Sequence, residues 1–215
     1  MILPFRLALA SLTLLFAAGC VTPRIVTNMV SPIVPSYHQD TGIPLRRVAV
    51  LPIDFQQQQG PANPSDLDLV FHAELSKTSA FEVIPISREE LASHYGITTL
   101  SSVQIIPRDL LAHLIEDYDV DGVLFTDVTH YFPYQPVSIG VRCKLVDARS
   151  GIQRWVFDHD FDSGNPGIAV AAKQFAQDQY SEQVPIASDG STILESPTQF
   201  GKYVAHETYR SLLGI

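Results

Sequence analysis

The chain has 215 residues, 46% of them hydrophobic, and carries 14 basic against 23 acidic residues for a net charge of −9 at pH 7. That balance, with no cluster of Lys and Arg, excludes a surface that tracks phosphates, so no nucleic-acid partner is expected. The length suits one domain with a proper core plus a tether and is short for two full domains.

The first element is an export signal. Arg6 supplies a positive start, Leu7 to Phe16 an apolar run, and Ala17-Ala18-Gly19 the small residues a signal peptidase needs, so residues 1–19 are read as removed. The run Leu14-Leu15-Phe16-Ala17-Ala18-Gly19-Cys20 resembles the lipobox of bacterial lipoproteins, with Ala17 where that motif prefers Leu. The resemblance implies that Cys20 is lipidated and anchors the new N-terminus to a membrane, firmly, because several acyl chains on one residue exceed the hold of one. Val21 stands where an aspartate would resemble the inner-membrane retention signal, so the expected location is the outer membrane, with the domain facing the periplasm. With Cys20 lipidated, Cys143 has no partner for an intramolecular disulfide. Cys143 falls in the alternation Val137, Ile139, Val141, Cys143, Leu145, which makes it a buried, inert thiol.

Residues 20–45 read as a lipidated N-terminus and tether: Pro23, Pro32, Pro35 and Pro44 stand among polar residues and valines with no sustained period. Some 20 residues of semi-extended chain reach about 60 Å at ~3.1 Å per residue. The folded domain is expected over 46–215. Arg46 to Ile53 predicts a buried first strand, ended by Pro52. Asn63 caps a helix opened by Pro64, with Leu67, Val70, Phe71 and Leu75 on one face. Phe81 to Ile86 is a second strand, and Ser87 with Glu90 forms a capping box for a helix stopped by Gly96.

Pro107 opens a further helix with the stripe Leu110, Leu111, Leu114 and Ile115. Strands are predicted over 122–131, 137–147 and 152–162, the last two joined by Ala148-Arg149-Ser150-Gly151, and helices over 166–180 and 197–213. The fold class that follows is α/β (α+β): one mixed sheet of about five strands packed with helices, plus C-terminal helices.

Little in the sequence suggests chemistry. Asp117, Asp119 and Asp121 ahead of Gly122 match the opening half of a calcium loop and are the candidate cation ligands. Position twelve of that loop is Val128 rather than glutamate, so we expect no bound metal. Asp158, Asp160 and Asp162 alternate with Trp155, Phe157, His159 and Phe161, which assigns the acids to a solvated face and the rings to the core. His38, His72, His94, His113, His130 and His206 are scattered; there is no nucleophile elbow, no His-Glu-x-x-His and no Gly-rich phosphate loop. No catalytic residue and no cofactor is expected. The aromatic corner Tyr131-Phe132-Pro133-Tyr134 reads first as loop packing, and its Tyr131, Phe132 and Tyr134 are the candidates for anchoring a protein partner.

The stretches Val48-Ala49-Val50-Leu51-Pro52, Phe81-Glu82-Val83-Ile84, Asp121-Gly122-Val123-Leu124 and Leu145-Val146-Asp147 through Trp155 together resemble the TolB N-terminal-like α/β domain of bacterial envelope lipoproteins. That domain occurs in CsgG and in the lipoprotein activators of penicillin-binding proteins. The resemblance, over residues 46–162, implies a membrane-anchored domain that works without catalysis by binding or assembling other envelope proteins, and leaves room for a homo-oligomer. The alternatives are a subunit of an outer-membrane secretion or transport assembly and an envelope hydrolase with an unrecognised site. The chain lacks the extra ~10-residue alternating strands of a membrane-spanning hairpin, so a pore is not expected.

Overall fold

The computed structural model describes residues 36–56, 61, 63–107, 109–180 and 190–214. In chain order the elements are β1 Ser36–His38, β2 Arg47–Val50, β3 Asp54–Phe55, α1 Pro64–Lys77, β4 Glu82–Pro85, α2 Arg88–Tyr95, α3 Leu110–Tyr118, β5 Gly122–Phe132, β6 Ser138–Asp147, β7 Gln153–Asp162, α4 Pro166–Tyr180, a 3-10 turn Ser191–Leu194, and α5 Pro197–Leu212. The strands form one mixed sheet in the order β1-β7-β6-β5-β2-β4, with β3 also on β5. Its seven strands exceed the five expected: β1 falls within the stretch read as tether, and β3 between the predicted first strand and first helix. Both are too short to carry a period and exist because a long neighbour offers them a ladder, β7 to β1 and β5 to β3.

Local signals build the helices as expected. Asn63 accepts from the Ser65 amide ahead of Pro64, Ser87 accepts from Glu90, and Ser196 accepts from Gln199 ahead of Pro197. Gly96, at φ 68°, ends α2 in the left-handed conformation that costs glycine least.

The sheet is buried on both faces at its parallel side. One face meets α1, α4 and α5 across a core that includes Phe71, Leu124, Val141, Trp155, Phe157, Phe161, Phe200 and Tyr203. The other meets α2 and α3 through Ala49, Leu51, Leu91, Leu110, Leu114, Val123 and Phe125. β2, between β4 and β5, is therefore apolar almost throughout, as parallel strands covered twice must be. Beyond α2 and α3, the second face of β6 and β7 turns polar: Arg142, Asp158, Asp160 and Asp162 project there, opposite the buried Cys143, Phe157 and Phe161. Burial pushes the Cys143 thiol up to about 12, so it is inert.

Buried carboxylates tie the layers together. Asp68 of α1 accepts from the Ile53 amide at 2.8 Å and pairs with Arg88 of α2 at 2.9 Å. Asp127, fully buried on β5, accepts from the amide and hydroxyl of Ser102 at 2.9 and 2.6 Å and so fastens the loop between α2 and α3. The C-terminal helix α5 buries Phe200, Tyr203, Val204 and Tyr209 against the sheet.

Candidate functional site

The far end of the β5–β6 hairpin holds the concentration of features that the fold itself does not require. β5 pairs with β6 in simple register up to Val128, opposite Val141; the next pair is His130 opposite Gly140, so Thr129 is an extra residue in a bulge. The bulge exchanges the faces. Before it, Leu124 and Val128 enter the core beneath α1 and α5, while Val123 and Phe125 face α2 and α3. After it, Tyr131 turns to the α1 side and packs on that core. His130 and Phe132 are thereby carried to the open polar face.

There, His130 Nε2 lies 2.7 Å from Ser138 Oγ and His130 Nδ1 lies 3.3 Å from Asp160 Oδ1. Gly140 makes this row feasible. A Cβ at that position would stand 2.3 Å from Thr129 Oγ1, 2.4 Å from Asp160 Oδ1 and 2.5 Å from His130 Nδ1. The order serine, imidazole, carboxylate is that of an acyl-transfer relay. The rest of such a site is missing from the row: Ser138 is held in the ladder between Phe132 and Asp162, and the Asp160 carboxylate is 73% exposed. No sequence motif joins these three residues, and the bulge that brings them together has no signature in composition.

On the α1 side of the same corner, Tyr131, Pro133 and Tyr134 form a groove of about 520 Å³ with Leu67 and Val70 of α1, Asp66, and Pro197 at the start of α5. Phe132 and Tyr134 are 49% and 73% exposed and meet edge to face at 5.9 Å. Phe132 and Tyr134 are thus open to solvent, whereas Tyr131 packs on the core. Burial raises the Tyr131 phenol, whose ring seals the floor.

Of the three candidate cation ligands, Asp121 holds backbone amides with its carboxylate and Asp119 ends a helix with its backbone. Asp119 ends α3 with φ 50°, and its amide donates to Ile115. Asp121 accepts from the amides of Arg46 and Arg47 at 3.0 and 3.3 Å, which fixes the entry to β2. Asp117 lies on the last turn of α3 beside Tyr118, whose phenol is pushed up to about 12, chiefly by its hydrogen bond to Glu90. Among the described residues no group of three or more His, Cys, Asp or Glu side chains is placed to hold a metal ion. The strand acids are engaged too: Asp158 with Arg142 at 2.7 Å, Asp160 with His130, and Asp162 with the Gly164 amide at 2.7 Å. Cys20 lies outside the described residues. Among the described residues no helix is long and apolar enough to cross a membrane.

No protein-family model matches the sequence, and no curated protein does. Solved structures similar in chain path include bacterial lipoproteins. Lipoprotein GNA1162 from Neisseria meningitidis is 20% identical, with 64% of this chain and 99% of that chain covered and a TM-score of 0.44. The PelC dodecamer from Paraburkholderia phytofirmans is 11% identical over 80% of this chain and 96% of that one, at a TM-score of 0.42. The LpoB C-terminal domain from Escherichia coli is 12% identical over 56% and 86%, at 0.40.

Proposed function

We propose that this chain is a lipid-anchored protein of the bacterial envelope, held in the outer membrane through Cys20, whose periplasmic domain recognises other envelope proteins without catalysing a reaction. On this reading residues 1–19 are removed, the chain from Cys20 up to β1 spaces the domain from the bilayer, and β1 joins the edge of the sheet that 46–215 build. The observation that carries it is the exposed Phe132–Tyr134 pair beside the Tyr131 groove, in a domain whose charged clusters are spent on internal bonds. Aromatic residues that can be wholly desolvated are the usual anchors of a protein interface.

The test places a photo-crosslinking amino acid at Phe132 in intact cells, in the wild-type background and with Cys20→Ser. A discrete crosslinked envelope protein, lost in the unanchored variant, is expected. A monomer that never crosslinks from this position overturns the reading. A second reading, an envelope hydrolase, has the Ser138–His130–Asp160 row in its favour and is tested separately below.

A further inference from the structure

We infer that His94 of α2 and His113 of α3 form a copper(II) site and bind one ion through their Nε2 atoms. The site is separate from the aromatic corner and goes beyond the proposed function. Tyr118 bonds to Glu90 and Tyr95 to His113, so α2 and α3 run antiparallel along a shared seam. Glu90 and His94 stand one turn apart on one helix, His113 and Asp117 one turn apart on the other, and all four line one small cleft. His94 therefore comes opposite His113, with ring centroids 6.5 Å apart. Metal–nitrogen bonds of ~2.0 Å put the centroids of two ligating imidazoles about 5 Å apart in a tetrahedral sphere and about 6.5 Å apart when the nitrogens are opposed. The two rings have the spacing of opposed nitrogens.

Each ring is already held by its other nitrogen. His94 Nδ1 lies 3.1 Å from the Glu90 carbonyl oxygen, which only accepts, so Nδ1 carries the proton and Nε2 keeps its lone pair. Ser93 Oγ, whose own proton goes to that carbonyl, stands 3.1 Å from Nδ1 as a second acceptor. His113 Nδ1 lies 2.6 Å from the Tyr95 hydroxyl, an oxygen able to accept from it, and that tautomer frees the second Nε2. Histidine ligands are oriented in this way, by an acceptor on the nitrogen turned from the metal. Both histidines are exposed, so an ion reaches them directly from solvent. Among the described residues no third His, Cys, Asp or Glu side chain is placed to join them, so water completes the sphere. Opposed nitrogens with oxygens between them make the tetragonal arrangement of copper(II), which imidazoles also bind more tightly than nickel(II) or zinc(II). The ion ties together two helices of eight and nine residues that otherwise share the small core of Leu91, Leu110 and Leu114.

The experiment titrates the full-length protein in detergent with copper(II) alone, against a competing chelator, and records the electron paramagnetic resonance spectrum of the loaded protein. The tightest step is expected to take one ion per chain, with hyperfine splitting from two imidazole nitrogens. His94→Ala and His113→Ala, each removing a ligand, should both weaken that step by more than about tenfold. Tyr95→Phe keeps the ring but removes the acceptor behind His113, and should weaken it about tenfold. His38→Ala, an exposed histidine on β1, should leave it unchanged. If the double variant His94→Ala, His113→Ala binds copper as the unaltered chain does, the protein holds an adventitious ion only and the inference falls. A spectrum with one nitrogen or none overturns it equally. So does unchanged binding by Tyr95→Phe, because two unoriented surface histidines would then account for the ion. The proposed function is untouched by any of these results, since no residue of the aromatic corner is altered.

Discussion

His130 and Asp160 sit on strands that are not neighbours, yet their side chains meet at 3.3 Å because the residue between them across the sheet is Gly140. A methyl group on Gly140 would occupy the contact itself. Gly140→Ala is therefore expected to separate the pair and to destabilise the domain by about 1 kcal/mol, since the obstructing atoms belong to side chains that can swing aside. In a Gly140→Ala, His130→Ala double variant the cost should be less than the sum of the two single changes. Thermal unfolding of the four proteins measures this; strict additivity would show that the row is not a unit.

The same row sets the test between recognition and hydrolysis. Ser138 has an imidazole within 2.7 Å, but its backbone is committed to the ladder. The expectation is that a fluorophosphonate probe does not label the protein above the level of Ser138→Ala, and that activated esters turn over equally with both. Labelling at Ser138 that His130→Ala abolishes would establish a nucleophile and displace the non-catalytic reading.

Phe132→Ala with Tyr134→Ala removes two rings that touch solvent and each other more than they touch the core. Stability should change by no more than about 0.5 kcal/mol. Crosslinking from a probe placed at a neighbouring corner residue such as Pro133 should fall to background, because the anchors are gone. A large loss of stability would instead return the corner to a packing role.

Glu74 is buried on α1 between Lys77 and His206. Burial alone would raise its carboxyl, yet the hydrogen bond from Lys77 and the ion-pair contact with His206, whose Nδ1 stands 3.8 Å away, hold it below the ordinary value of 4.5. A depressed folded-state value means stabilisation that is present above 4.5 and lost as the pH falls through the lower, folded-state value. Glu74→Gln should thus cost about 1–2 kcal/mol at neutral pH, the exposed Lys77 end limiting it. The gap between the two proteins should close in denaturant titrations carried below pH 4.5. A gap independent of pH would mean that packing and not charge is at work.

What the sequence disclosed was whatever is decided locally. Asn63 before Pro64, Ser87 before Glu90 and Gly96 act within one turn, and the helices begin and end where those residues direct. The alternation through Cys143 and through Phe161 placed the core face of β6 and β7 for the same reason. β1 was hidden because Ser36, Tyr37 and His38 are all exposed and are held by pairing with Trp155, Val156 and Phe157, more than a hundred residues away. The aromatic corner Tyr131, Phe132 and Tyr134 was legible as a candidate surface, but the row of Ser138, His130 and Asp160 beside it was hidden by a single residue. Thr129 shifts the register, which sends Tyr131 toward α1 and His130 toward Asp160, and an extra residue in a ladder leaves no periodic trace in a strand this apolar.

Asp119 and Asp121 are two residues apart in the half-match to a calcium loop and should respond to substitution in opposite ways. Asp119 holds φ 50°, a conformation that a side chain strains and glycine does not. Asp119→Gly should be neutral or stabilise by up to about 0.5 kcal/mol, the relief offset by the added freedom of the unfolded chain. Asp121→Ala leaves the amides of Arg46 and Arg47 without their acceptor at the entry to β2 and should cost about 1–2 kcal/mol. Millimolar calcium should shift the melting temperature of none of these proteins. If both acids were ligands, the two substitutions would instead abolish a calcium-dependent rise in melting temperature together, and that rise would have to be present in the unaltered chain.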